Sequence, residues 1–202
     1  MKKKLSIILL TFLILSGCNR KATTESSIED LQRKELDIKG ANHKDIGNLI
    51  SEISFEVKAT QDEAKDWDNG IIPWVSIAFS QSEINNLIEA DEIVISDSEV
   101  EIYIDYPLNN PFKFKLKSDF GFSRKQLILA ISKKYKAIYE EEENTAKVKT
   151  VPLNQRKGII NRNETDGKYG IWGHDLEDLD LSTIEVYRNK ENKLELVLGI
   201  ES

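Results

Sequence analysis

The residue types best suited to chemistry fall in one stretch, Asn161 to Leu181. It holds His174 followed by Asp175, then Glu177, Asp178 and Asp180, and just before them Tyr169, Ile171 and Trp172 set among Gly167, Gly170 and Gly173. A histidine with two or three nearby carboxylates is a donor set that suits several divalent ions. On that reading His174, Asp175 and Asp178 are the candidates for a metal-assisted hydrolysis. Tyr169 and Trp172 offer aromatic faces for a ligand instead. The glycines permit left-handed backbone and close approach, so the stretch predicts a shaped loop.

Several other chemistries are excluded by count or spacing. The chain has two histidines, His43 and His174, and one cysteine, Cys18. The His-Asp doublet is similar to that of metal-dependent phosphohydrolases, but those sites use further histidines, and His43 lies far upstream. A cysteine-based zinc site and an internal disulfide are both ruled out. There is no Gly-x-Ser-x-Gly elbow and no phosphate-cradling glycine loop. Asn161, Asn163 and Asp166 begin with the spacing of a calcium-binding loop. Asp166, however, stands where that loop needs glycine, and Trp172 where it needs a bidentate glutamate. Asn163-Glu164-Thr165 is a glycosylation sequon that we regard as incidental. No cofactor is predicted.

The N-terminus carries a different signal. Lys2-Lys3-Lys4 precede an apolar run from Leu5 to Leu15, broken by Ser6 and Thr11. That run is shorter than the roughly 20 residues a spanning helix needs, and matches the charged and apolar regions of a secretory signal. Leu15-Ser16-Gly17-Cys18 resembles the lipobox of bacterial lipoproteins. The resemblance implies that residues 1–17 are removed, that the Cys18 thiol carries a diacylglycerol, and that the new amino group is acylated. It implies a protein of the bacterial cell envelope, held by lipid and facing away from the cytoplasm, with palmitate among its acyl chains. Two or three such chains anchor stably at ~0.8 kcal/mol per buried CH₂.

With residues 1–17 gone, 25 basic residues face 35 acidic ones, a side-chain charge of −10. Such a surface argues against nucleic acid and gives no polybasic support to membrane binding. The expected partners are the membrane, through lipid, and a protein or ligand of undefined identity.

The elements that must position the chemistry follow from periodicity. Residues 18–45 are polar and predict a tether, with a short helix over Ser27 to Leu36 and a reach of about 30 Å. Residues 46–202 predict one domain. Ile53, Phe55 and Val57 alternate as one face of a strand, Asp68-Asn69-Gly70 marks a turn, and Trp74 to Phe79 reads as a buried strand. Ser82 to Ile88 suggests a short helix. Ile93–Ile95 and Val100–Tyr106 flank a polar turn and predict a hairpin, and Phe112 to Lys117 alternates strictly, with Lys113, Lys115 and Lys117 on a solvated face. Ser123-x-x-Gln126 is a capping box that opens a helix to about Glu142, whose stripe is Leu127, Ile128, Ile131, Tyr135, Ile138 and Tyr139. Glu140 to Glu143 oppose the helix dipole and predict fraying. Residues 144–168 read as a long polar connection, and Thr183–Arg188 with Lys193–Ile200 as a final hairpin. The sum is an α+β fold, an antiparallel sheet with one long amphipathic helix packed on it.

Tyr169 to Leu179, YGIWGHDLEDL, also resembles a phrase recurring in uncharacterised proteins that carry an upstream Phe-Ser/Thr-Arg helix start, here Phe122-Ser123-Arg124. The resemblance covers about residues 110 to 200 and implies a shared fold. Two functions stay open: a non-catalytic, membrane-anchored binding domain, and a metal-assisted hydrolase built on His174. The first is favoured, because an enzyme ordinarily shows more convergent polar residues.

Overall fold

The computed structural model describes residues 30, 32–37, 45–157 and 162–202. Cys18 and Asn161 lie outside the described residues. In chain order the elements are a helical segment α1 (residues 32–37), β1 (Asn48–Ser54), β2 (Val57–Lys58), β3 (Ile71–Ile72), β4 (Val75–Ser76) and α2 (Ser80–Glu83). They continue with β5 (Ile93–Ile95), β6 (Glu99–Ile104), β7 (Phe112–Lys117), β8 (Phe122–Ser123), α3 (Arg124–Thr145), β9 (Asp180–Arg188) and β10 (Leu194–Glu201).

The main sheet runs β1-β9-β10-β6-β7, with β4 also pairing β9. The C-terminal hairpin therefore fills the middle of the sheet and joins the first strand to the β6–β7 pair. Leu194 to Leu198 are all buried, as a central strand requires. Every pairing in this sheet is antiparallel except β10 against β6, which is parallel, Leu194 to Val197 beside Val100 to Tyr103. The expectation of a wholly antiparallel sheet is corrected at that one pair. Parallel neighbours need a long crossover, and the chain between β6 and β10 supplies one that contains α3.

The predicted hairpin of Ile93–Ile95 with Val100–Tyr106 does not form. β5 pairs with β8, while β6 takes β7 and β10 as its two neighbours. Three residues of β5 offer few ladder bonds, whereas β7 matches all six residues of β6. The buried strand expected from Trp74 contracts to β4, and the helix expected at Ser82 starts two residues earlier, at Ser80.

α3 behaves as its cap predicts. The Ser123 N–H donates to Gln126 Oε1 at 2.8 Å and the Gln126 N–H donates to Ser123 Oγ at 3.3 Å. Leu127, Ile128, Ile131, Tyr135 and Ile138 are buried in the same core as Ile53, Ile102, Ile184 and Leu196. Ser132 and Tyr135 hydroxyls donate to the carbonyls of Ile77 and Tyr106, at 2.6 and 2.8 Å. The outer face of β7 is paired: Lys113 with Glu195, and Lys115 and Lys117 with Glu99.

Ile102 lies at the centre of this core with no exposed surface. Ile102→Ala is expected to remove about 3 kcal/mol of stability through the cavity it leaves. Urea unfolding checks this, and the midpoint falls with the slope unchanged.

Candidate functional site

The glycine-rich stretch is folded around a buried carboxylate. Glu142 is fully buried, although it belongs to the glutamate run expected to fray. The helix continues through it to Thr145. Its Oε1 accepts from the Thr165 hydroxyl at 2.6 Å and the Gly167 N–H at 2.8 Å. Its Oε2 accepts from the N–H groups of Tyr169 at 2.7 Å and Gly170 at 3.1 Å. Burial pushes this carboxyl upward, but the Thr165 hydroxyl and the N–H groups of Tyr169, Gly167 and Gly170 outweigh it, holding the pKa below the usual glutamate range. The predicted fraying is thus reversed by a tertiary contact: four donors satisfy a charge that the helix dipole opposes.

The glycines are explained by this approach. A Cβ on Gly167 would stand 2.7 Å from the Glu142 carboxyl carbon. Gly170 adopts φ +63, where side chains are strained, and a Cβ there would crowd Asn109. The loop then zips onto the segment after β6. Asn109 N–H donates to Gly170 O, Asn110 N–H to Tyr169 O, and Trp172 N–H to Pro107 O, at 2.9 to 3.2 Å. Asp166 closes the other side by accepting from the Lys147 and Val148 N–H groups.

Each residue singled out from sequence can now be placed. Tyr169 is buried, its hydroxyl donating to Glu141 at 2.6 Å and its ring edge-on to Phe112. Trp172 is a core side chain, edge-on to Tyr106 at 5.3 Å. His174 packs at 5.5 Å from Tyr106 and 6.0 Å from Trp172, and its Nε2 lies 2.9 Å from Glu35 Oε1 on α1. The hydroxyl of the half-buried Tyr139 donates to His174 O. Asp175 is gripped by Arg156, bidentately, and by Arg162 at 3.3 Å. Asp178 accepts the Asp175 N–H at 2.8 Å across the Leu176–Asp178 turn.

These residues therefore share a loop without converging. His174 turns to α1, Asp175 to two guanidiniums, and Asp178 to backbone. Among the described residues, no group of three or more His, Cys, Asp or Glu side chains is arranged to hold a metal ion. What the structure brings together instead is an aromatic cluster, in which Trp172 stands edge-on to both Tyr106 and His174, and the Tyr106 and His174 rings are tilted at 37°. Burial, chiefly, pushes the Tyr106 hydroxyl well above its ordinary range, so it stays a donor. No family model matches the chain, and no curated protein or solved structure matches it either.

Sequence reasoning missed Glu142, Arg156, Arg162 and Tyr106 as site residues. For Glu142 a signal existed: Ile131, Tyr135, Ile138 and Glu142 continue one helical stripe, so its carboxylate stands where the next core residue belongs. The arginines are 19 and 13 residues from Asp175 in a stretch without periodicity, and nothing in the spacing pairs them.

Two titrating groups act on stability with opposite sign. Glu142→Gln puts donors where acceptors are needed, and should cost about 3 kcal/mol at neutral pH. Because the native Glu142 pKa is lowered, its contribution is present above the ordinary glutamate range and lost as pH falls through the folded value. The gap between wild type and Glu142→Gln should therefore narrow in acid. Asp180 is half-buried beside Glu83, Asp178 and Glu201, and burial first, then those charges, push it up to about 6. The penalty of a raised carboxyl sets in above the ordinary aspartate range and is complete above about 6, so Asp180→Asn should stabilise by ~1 kcal/mol at pH 7.5, discounted for partial exposure, and by much less at pH 4. Urea midpoints at the two pH values read both effects.

Proposed function

We propose that this chain is a lipid-anchored lipoprotein of the bacterial cell envelope, whose acidic α+β domain serves as a non-catalytic binding module. The observation that carries the anchoring is Leu15-Ser16-Gly17-Cys18 behind a lysine-led apolar run. Cys18 is the only cysteine in the chain, so the lipid has one place to attach. Among the described residues no helix is long and apolar enough to cross a membrane.

Support for binding over catalysis comes from how the site spends its polar groups. Glu142, Asp175 and Asp178 accept hydrogen bonds from within the loop or from adjoining arginines, and the His174 Nε2 meets Glu35. Interactions of this kind fix shape. A general base or nucleophile must instead keep a lone pair aimed at a substrate. The side-chain charge of −10 after residues 1–17 are removed favours a neutral or basic partner over an acidic one.

The test is metabolic labelling of cells with radioactive palmitate, joined to membrane fractionation and mass determination. Wild-type protein should label, sediment with membranes and begin at Cys18. Cys18→Ala should neither label nor sediment, while its domain remains folded. Labelled Cys18→Ala protein would overturn the anchoring.

A further inference from the structure

The surface at Tyr106, Trp172 and His174 is not bare; two neighbouring side chains of α1 sit on it. Lys34 Nζ lies 5.5 Å above the Trp172 ring, 3.3 Å from both Glu164 carboxylate oxygens and 3.4 Å from Asn109 Oδ1. Glu35 Oε1 lies 2.9 Å from His174 Nε2 and receives the Tyr106 hydroxyl at 3.1 Å. That hydroxyl also meets Ser202 Oγ at 2.7 Å.

The domain side is thus divided into two halves of opposite character. One half is an aromatic face, a carboxylate and an amide oxygen, the elements that hold an ammonium. The other is an imidazole nitrogen and a buried phenol converging on one oxygen, which hold a carboxylate. Asn109 braces the first half by donating to Glu164 at 2.6 Å. Both halves rest on the loop that Glu142 pins. On α1, Lys34 and Glu35 are half-buried, while Gln32, Arg33, Leu36 and Asp37 are exposed, Leu36 at 71%. An isolated segment of this length does not hold a helix in water, so its docking contacts help to order it.

We infer that this face is a recognition site for a helical peptide presenting adjacent lysine and glutamate side chains, and that Lys34–Glu35 of α1 is its built-in occupant, displaced when such a peptide binds. The inference deepens the binding-module reading and rests on it. Its contacts are charge-based at partly exposed groups, so each is individually modest and exchangeable. Tethering gives α1 an effective concentration on the order of millimolar, which an external peptide must overcome.

The test uses the full chain in detergent and a synthetic peptide, Asp-Leu-Gln-Arg-Lys-Glu-Leu-Asp, the sequence of residues 30–37. Binding is followed at the Trp172 indole N–H by NMR. The double variant Lys34→Ala/Glu35→Ala, whose changes lie on a surface segment, should bind the peptide at least tenfold more tightly than wild type does. Adding Glu164→Gln to it should weaken binding about tenfold. A peptide with both charged residues replaced by alanine should not bind. No saturable binding by the double variant, equal affinity for wild type and variant, or equal binding of the alanine peptide would each overturn the site. A wild-type dimer that the double variant dissolves would put a second copy's α1 in the site and overturn the built-in occupant. None of these readouts depends on Cys18, so a failure here is separable from a failure of anchoring.

Discussion

One buried negative charge organises the end of this domain where helix α3 meets the glycine-rich loop. A carboxylate withdrawn from water costs several kcal/mol unless donors replace its hydration. Glu142 has four donors, and three of them are backbone N–H groups of a single short loop. The loop cannot make those contacts without turning sharply around the carboxylate. That requirement explains a residue with no side chain at Gly167, and a left-handed backbone at Gly170. Helix α3 in turn cannot fray at its glutamate-rich end, since unwinding would strand the same N–H groups. The loop's shape and the helix's length are therefore one constraint seen from two sides.

The sheet brings the remaining parts to that point. Because β9 and β10 insert between β1 and β6, the end of β6 and the chain's last residue arrive side by side, Tyr106 against Ser202. The segment 107–110 then zips to 169–172, and Tyr135 and Tyr139 of α3 reach the carbonyls of Tyr106 and His174. Residues 130 and 139 apart in sequence, Lys34 with Glu164 and Glu35 with His174, meet there. Such a meeting place suits recognition, because every wall is held by an element anchored elsewhere in the core.

Local signals in the sequence were legible where they act locally. The capping box at Ser123, the helical stripe from Leu127, the alternation of Phe112 to Lys117 and the C-terminal hairpin all appear in the structure within a few residues of expectation. Pairing between distant strands was not. Nothing in Ile93–Ile95 announces that it will meet Phe122–Ser123, and the parallel register of β10 on β6 depends on a crossover that periodicity does not specify. For the site, the dense stretch around His174 was visible and its partners were not. A glutamate in a polar run is assigned to solvent by any hydrophobic pattern, and only tertiary donors move it inside. By sequence Asp175 is a candidate metal ligand, whereas in the structure Arg156 and Arg162 occupy it.

Pinned by three of its own N–H groups, the glycine-rich loop should be held by the Glu142 carboxylate as firmly as the core is packed. Amide hydrogen exchange at Gly167, Tyr169 and Gly170 addresses it directly, because those three N–H groups donate to that carboxylate. They should exchange near neutral pH as slowly as core amides of α3 around Ile131 and Tyr135. Exchange at the rates of an exposed loop, while α3 stays protected, would contradict it.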